Sequence, residues 1–213
     1  MTAPPLPEGV TMRLVLLRHG EPHEAARGVC YGRLDVGLSS IGRLQMRRAS
    51  HQFRRCALTA VYSSPRRRAR ESAEFIATGC GARIVRIEER LAEIDFGDLE
   101  GLPYDEIERR APQLYLEWMS RPTYVQFPGG ECFRDMRARV SAALAEVRRA
   151  HKGGIVAIVS HGGVNRVAIA EALGLDPARM FRIDQGHGCT NVIDYFGDEP
   201  VVRLINGNRA LPC

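Results

Sequence analysis

The stretch Leu14-Val15-Leu16-Leu17-Arg18-His19-Gly20-Glu21 sets the architecture of this chain. Four consecutive aliphatic residues leave no polar face, so they suit a strand covered on both sides. Such strands belong to parallel or mixed sheets flanked by helices, and ligands there bind just past the carboxyl ends of the strands. The run stops at a guanidinium, an imidazole and a glycine, which delivers Arg18 and His19 to that place. Ile155-Val156-Ala157-Ile158-Val159 repeats the arrangement and runs into Ser160-His161-Gly162-Gly163. One strand-end histidine is commonplace, whereas two in one chain point to a shared site.

Around these two runs, strands alternate with helices. Residues 12–18 read as the first strand and 21–38 as a glycine-containing loop. Ser39 or Ser40 caps a helix reaching about residue 55, with Ile41, Leu44 and Phe53 among its apolar positions. A short strand over 60–62 precedes Ser63-Ser64-Pro65, where serine caps a helix to about residue 77 and proline fits its first turn. Residues 83–87 alternate as a third strand. One or two helices follow between 103 and 119. A long helix over 131–150 carries Phe133, Met136, Val140, Leu144 and Val147 at helical spacing. After the His161 strand come a helix near 164–173 and a hairpin of 192–195 with 201–205. The alternation predicts a three-layer α/β/α sandwich with a mainly parallel central sheet. Residues 12–213 read as one domain behind a flexible tail of residues 1–11, with about 103–150 as a small helical cap.

Composition narrows the class of function. The chain has 213 residues, 45% of them hydrophobic, which is enough for a substantial core. No apolar run approaches the roughly 20 residues of a spanning helix, and the proline-rich start lacks the blocks of an export signal. A cytoplasmic location without a membrane partner is the expectation. Six cysteines at irregular spacing, none in a C-x-x-C pair, read as reduced thiols rather than a disulfide or zinc framework. His19, Glu21 and His23 alternate, and His187 lies near Cys189, but neither group makes a metal site by its spacing. The net charge of +5 comes largely from arginines spread over helices beside glutamates. No basic block is interleaved with aromatics, so nucleic acid is not an expected partner.

Two further segments join the histidines. Ser63-Ser64-Pro65-Arg66-Arg67-Arg68-Ala69 places guanidinium groups at a helix start, where free N–H groups already favour anions. Leu91-Ala92-Glu93-Ile94-Asp95-Phe96-Gly97-Asp98-Leu99-Glu100-Gly101 presents carboxylates from a loop. With these in place, the chain resembles the histidine phosphatase superfamily, in the branch related to cofactor-dependent phosphoglycerate mutases. The resemblance covers about residues 12–205. Cys30-Tyr31-Gly32-Arg33 and Phe127-Pro128-Gly129-Gly130-Glu131 make it most similar to phosphatases of the α-ribazole phosphatase type.

The resemblance implies that His19 is the nucleophile, that Arg18, Arg68 and His161 hold the phosphoryl oxygens, and that Glu93 is the general acid, kept protonated by a raised pKa. Arg66 and Arg67 then face outward. Glu21, Tyr31, Gly32 and Glu131 are implied at the substrate, although an ordinary ion pair serves Glu21 and Glu131 equally well. The implied partner is a small phosphorylated substrate. No metal and no cofactor are implied, and the assembly stays open, a homodimer being common in the family. Cys132 and Leu99 depart from the residues usual at those places, which leaves the substrate undefined. Three activities remain: hydrolysis of a monoester such as α-ribazole 5′-phosphate, phosphoglycerate mutase-type transfer, and non-catalytic binding of a phospho-ligand.

Overall fold

The aliphatic run of β1 (Met12–Arg18) serves two cores at once. Leu14 and Leu16 point to one face of the sheet and Val15 and Leu17 to the other, each fully buried. The computed structural model describes residues 6–82 and 84–208. Its other strands are β2 (Leu58–Ser63), β3 (Val85–Ile87), β4 (Ile155–Ser160), β5 (Thr190–Phe196) and β6 (Glu199–Gly207). They form one six-stranded sheet in the order β3-β2-β4-β1-β5-β6. The pairs β3–β2, β2–β4 and β4–β1 are parallel, while β5 runs antiparallel to both of its neighbours. The sandwich with a mainly parallel sheet is as expected.

One core packs α1 (Ser40–Ser50) and α2 (Arg67–Cys80) on the sheet through Met46, Ala49, Ala73 and Ile76. The opposite core packs α5 (Phe133–Ala150) and α6 (Gly162–Ala172). The predicted stripe of Phe133, Met136, Val140, Leu144 and Val147 is buried there. In α1 the stripe differs from the expected one. Ile41 and Leu44 are exposed, and the buried face runs through Gly42, Met46, Ala49 and Phe53. That set keeps the spacing of one helical face, from which Ile41 and Leu44 are rotated away. Ser39 caps α1 by accepting the Gly42 N–H.

The start of α2 also departs from the expectation. Ser63 donates its hydroxyl to the Ser64 carbonyl, while Ser64 Oγ meets His161 Nε2 and accepts the Arg66 N–H at 3.3 Å, just before the helix. The helix begins two residues past Pro65, and Asp35 Oδ1 accepts the Arg67 N–H at 2.6 Å. Of residues 1–11, the first five lie outside the described residues, Leu6 packs on the α1–α2 core, and Val10 is buried.

A third apolar cluster stands off the sheet. It joins Cys30, Leu99, Ile107, Val125 and Phe127 with α3 (Tyr104–Arg110) and α4 (Pro112–Ser120). These helices form the cap, whereas α5, grouped with them by sequence position, is a layer of the sandwich. Cys30, Cys80, Cys132 and Cys189 are free thiols. Cys56 is disulfide-bonded, so the expectation of a fully reduced set fails there; Cys213 lies outside the described residues. Spacing along the chain reveals no such pairing because the two sulfurs of a disulfide meet only through the fold. Among the described residues no helix is long and apolar enough to cross a membrane.

Candidate active site

Register brings the two histidines together. Arg18 is opposite Ser160 across β1 and β4, so His19 and His161 are the next residues past paired strand ends. The His19 N–H continues the ladder to the Ser160 carbonyl at 2.9 Å. The chain leaves β1 toward α1 on one face and leaves β4 toward α6 on the other. Connections that part in this way open a crevice at the carboxyl ends of adjacent strands, where ligands of α/β sheets bind.

His19 is buried, and its Nδ1 lies 2.7 Å from the Gly20 carbonyl oxygen. A carbonyl only accepts, so Nδ1 carries the proton and Nε2 keeps the lone pair. Burial, reinforced by the charges of Arg68 and Arg18, holds the ring far below the ordinary histidine range. The His161 ring stands edge-on to it at 5.2 Å between centroids. Its Nε2 meets Ser64 Oγ at 2.7 Å while Nδ1 is buried without a partner.

Arg68 is completely buried, with Nη1 donating to the Leu34 carbonyl and Nη2 to that of Gly32. Its guanidinium lies 5.1 Å from the centre of the Tyr31 ring. Arg18 Nη1 donates to the Gln185 carbonyl at 2.5 Å. The Nε atoms of Arg18, Arg66 and Arg68 are buried and unpartnered, as are His161 Nδ1 and His187 Nε2. Native folds rarely leave a buried donor unpaired, because each costs about 1–3 kcal/mol. Several such nitrogens sit on cationic or imidazole side chains in the neighbourhood of His19 and His161.

Glu93 closes another side. Its carboxylate accepts the Ile94 N–H and, from the start of α6, the Gly163 N–H at 3.3 Å. A Cβ on Gly163 would stand 2.4 Å from Glu93 Oε1, so glycine is what admits the acid. A Cβ on Gly162 would stand 3.0 Å from Arg166 Nη1 and 3.6 Å from Arg18 Nε. The paired glycines therefore clear space for an acid and two guanidiniums.

The match to the family model "Histidine phosphatase superfamily (branch 1)" spans residues 14–208. The chain belongs to this superfamily. Phosphoserine phosphatase 1 of Hydrogenobacter thermophilus is 32% identical over 180 residues, covering 84% of this chain and 83% of that one. The α-ribazole phosphatase of Shigella flexneri superposes with a TM-score of 0.84 at 26% identity, over 92% of this chain and 97% of its own. A mycobacterial glucosyl-3-phosphoglycerate phosphatase gives 0.81 at 29% identity, over 91% and 98%. Relatives named as phosphatases make this a hydrolase family, and they differ in the substrates they are named for.

In this member of the superfamily, His19 and His161 stand ring to ring, Arg18 and Arg68 lie close enough for their charges to lower the pKa of both imidazoles, and the Glu93 charge acts on Arg68. Tyr31 and Gly32 back Arg68. The Glu100 carboxylate accepts N–H groups from Gly32, Arg33, Leu34 and Phe96, which pins their loop. Glu21 and Glu131 are engaged elsewhere. Glu21 accepts the Ser39 hydroxyl. Glu131 pairs through both oxygens with Arg139, whose guanidinium also donates to the carbonyls of Arg90, Ala92 and Glu93.

Two residues were missed. Arg66, expected to face outward, is half-buried with an unpartnered, buried Nε, and its charge adds, after burial and the nearer charges of Arg68, His19 and Arg18, to the lowering of the His161 pKa. His187 stands with its ring 5.5 Å from that of His19, and burial followed by the Arg18 charge lowers its pKa to about 4. The signal was the orientation of β5. An antiparallel neighbour of β1 begins where β1 ends, so Gly186-His187-Gly188, just before Thr190, falls at the same sheet edge.

Proposed function

We propose that the chain hydrolyses small phosphate monoesters, without a metal, through a phosphohistidine on His19. The observation that supports this reading is a set of unpartnered buried nitrogens on arginine and histidine side chains close to a buried imidazole whose lone pair is on Nε2. That lone pair forms a bond to phosphorus as the ester P–O bond breaks. Arg18, Arg66 and Arg68 neutralise the equatorial oxygens, so electrostatic stabilisation comes from the side chains themselves. The Ser64 hydroxyl donates a hydrogen bond to His161 Nε2, so the ring carries its own proton on Nδ1, where it can donate to another oxygen. Glu93 protonates the departing alkoxide. Its carboxylate then takes a proton from water, which attacks phosphorus and returns the P–N electron pair to His19.

His19→Ala tests the reading. Turnover and the acid-labile, base-stable phosphoenzyme both disappear, with the circular dichroism spectrum unchanged. A phosphoenzyme or steady turnover that survives the substitution refutes it. Chelator leaves the wild-type rate unchanged, and vanadate inhibits. The monoesters assayed include phosphoserine and α-ribazole 5′-phosphate.

A further inference from the structure

Glu93, Gly163 and Arg166 also line a hollow of about 190 Å³. Phe96, Trp118, Phe127, Phe133, Met136 and Phe181 form most of its wall. Phe96, Trp118 and Phe127 pack on one another with centroids 4.9 to 5.3 Å apart, so that wall is preformed. Phe181 is held under the Arg166 guanidinium at 5.5 Å, and Arg166 Nε is committed to the Ile183 carbonyl at 2.8 Å. Besides Glu93 and Arg166 no charged side chain lines the hollow, and among the described residues no serine, threonine, asparagine or glutamine does.

We infer that the alcohol half of the substrate is an apolar, ring-bearing group seated in this aromatic hollow. The inference rests on the reading of the site as a phosphatase and adds the class of ester it prefers. The leaving oxygen departs opposite His19 and must meet Glu93, so the carbon skeleton behind that oxygen projects to the side that Glu93 shares with the hollow. Size fits a single ring with a short arm, since an apolar cavity of about 150 Å³ already admits benzene. Polarity excludes the alternatives. A sugar or a serine moiety would bury hydroxyl or ammonium groups with almost no partners, a cost a site of this kind cannot recover.

The test compares 2-phenylethyl phosphate with ethyl phosphate and phosphoserine. The first two leave as alcohols of similar basicity, so the chemical step is matched. The expected kcat/KM for the phenylethyl ester exceeds that of the ethyl ester by roughly 10- to 100-fold, the worth of burying a ring. Phe181 is 46% exposed, so Phe181→Ala leaves the core intact; the phenylethyl-to-ethyl ratio falls severalfold. Trp118→Ala lowers the same ratio further. Wild-type enzyme that forms phosphohistidine from both esters at equal efficiency, or prefers phosphoserine, overturns the inference and leaves the phosphatase reading standing. A ratio that neither substitution lowers also overturns it. Phosphohistidine from no monoester at all removes the reading beneath it as well.

Discussion

Two hollows meet at Glu93 and Gly163, and they are built from opposite materials. One is lined by arginines and imidazoles whose buried nitrogens lack partners. The other is lined by aromatic rings and methionine, with hardly a polar side chain. The first is costly to fold without its ligand, because desolvated donors and like charges are held together. The second costs little, because its walls pack on each other as any core does. On the proposed reading, the phosphoryl group common to all monoesters is met by fixed charge at the strand ends, and the part that varies by the aromatic residues of α3–α5 and their loops and by α6. That reading puts catalysis and selectivity on different elements of the fold, joined by one carboxylate.

The sharpest way to break this division is at the junction itself. Glu93→Gln keeps the shape and removes the proton. Hydrolysis of alkyl phosphates falls by about 10²- to 10⁴-fold, the usual worth of general acid catalysis. Hydrolysis of p-nitrophenyl phosphate falls far less, because that leaving group needs almost no proton. Equal losses on the two esters would show that Glu93 acts on something other than the leaving oxygen. Arg68→Ala comes next, costing about 10²- to 10³-fold in kcat/KM, comparable to losing one preorganised donor to a developing charge. This loss is the same for ethyl and phenylethyl esters if the hollows are separate in function. Lysine does not restore it, since the planar fork donates to the Leu34 and Gly32 carbonyls at once.

The two hollows were also unequally visible in the sequence. Strand-end chemistry is local. An aliphatic run followed by Arg18-His19-Gly20, or by Ser160-His161-Gly162-Gly163, carries both its fold and its polar cargo in fewer than ten residues. Parallel register then does the rest. His187 escaped because its placement depends on the direction of β5, which a hairpin reading leaves undefined. Arg66 escaped because α2 begins at Arg67, which leaves Arg66 as its half-buried N-cap rather than a residue on the outer face of the first turn. The aromatic hollow had no signature at all. Phe96, Trp118, Phe133 and Phe181 come from four separate segments, and each reads as ordinary core until the cap is folded over them. The stripe of α5 was legible as a core face, but not the fact that its first turn, at Phe133 and Met136, also lines a pocket.

A smaller effect separates the hollows by pH. In the unfolded chain His187 binds a proton near pH 6.5, whereas in the fold burial and the Arg18 charge delay protonation until about 4. His19 and His161 are shifted in the same direction, chiefly by burial. Between those limits the unfolded chain holds more protons, so acid drains stability. The contribution of His187 is intact above about 6.5 and is lost as pH falls through about 4. Melting temperature therefore declines on acidification across that window, and His187→Gln makes the decline shallower. Vanadate opposes it by pairing the unpartnered donors. At about 100 times its dissociation constant it adds about 2.7 kcal/mol, a rise of several degrees for a domain of this size. An uncharged occupant of the aromatic hollow, such as 2-phenylethanol, has no such leverage on the histidines. It raises the melting temperature equally at pH 7 and pH 5. A vanadate-like pH dependence for that alcohol would mean that the two hollows are one site, and the separation of charge from shape would be lost.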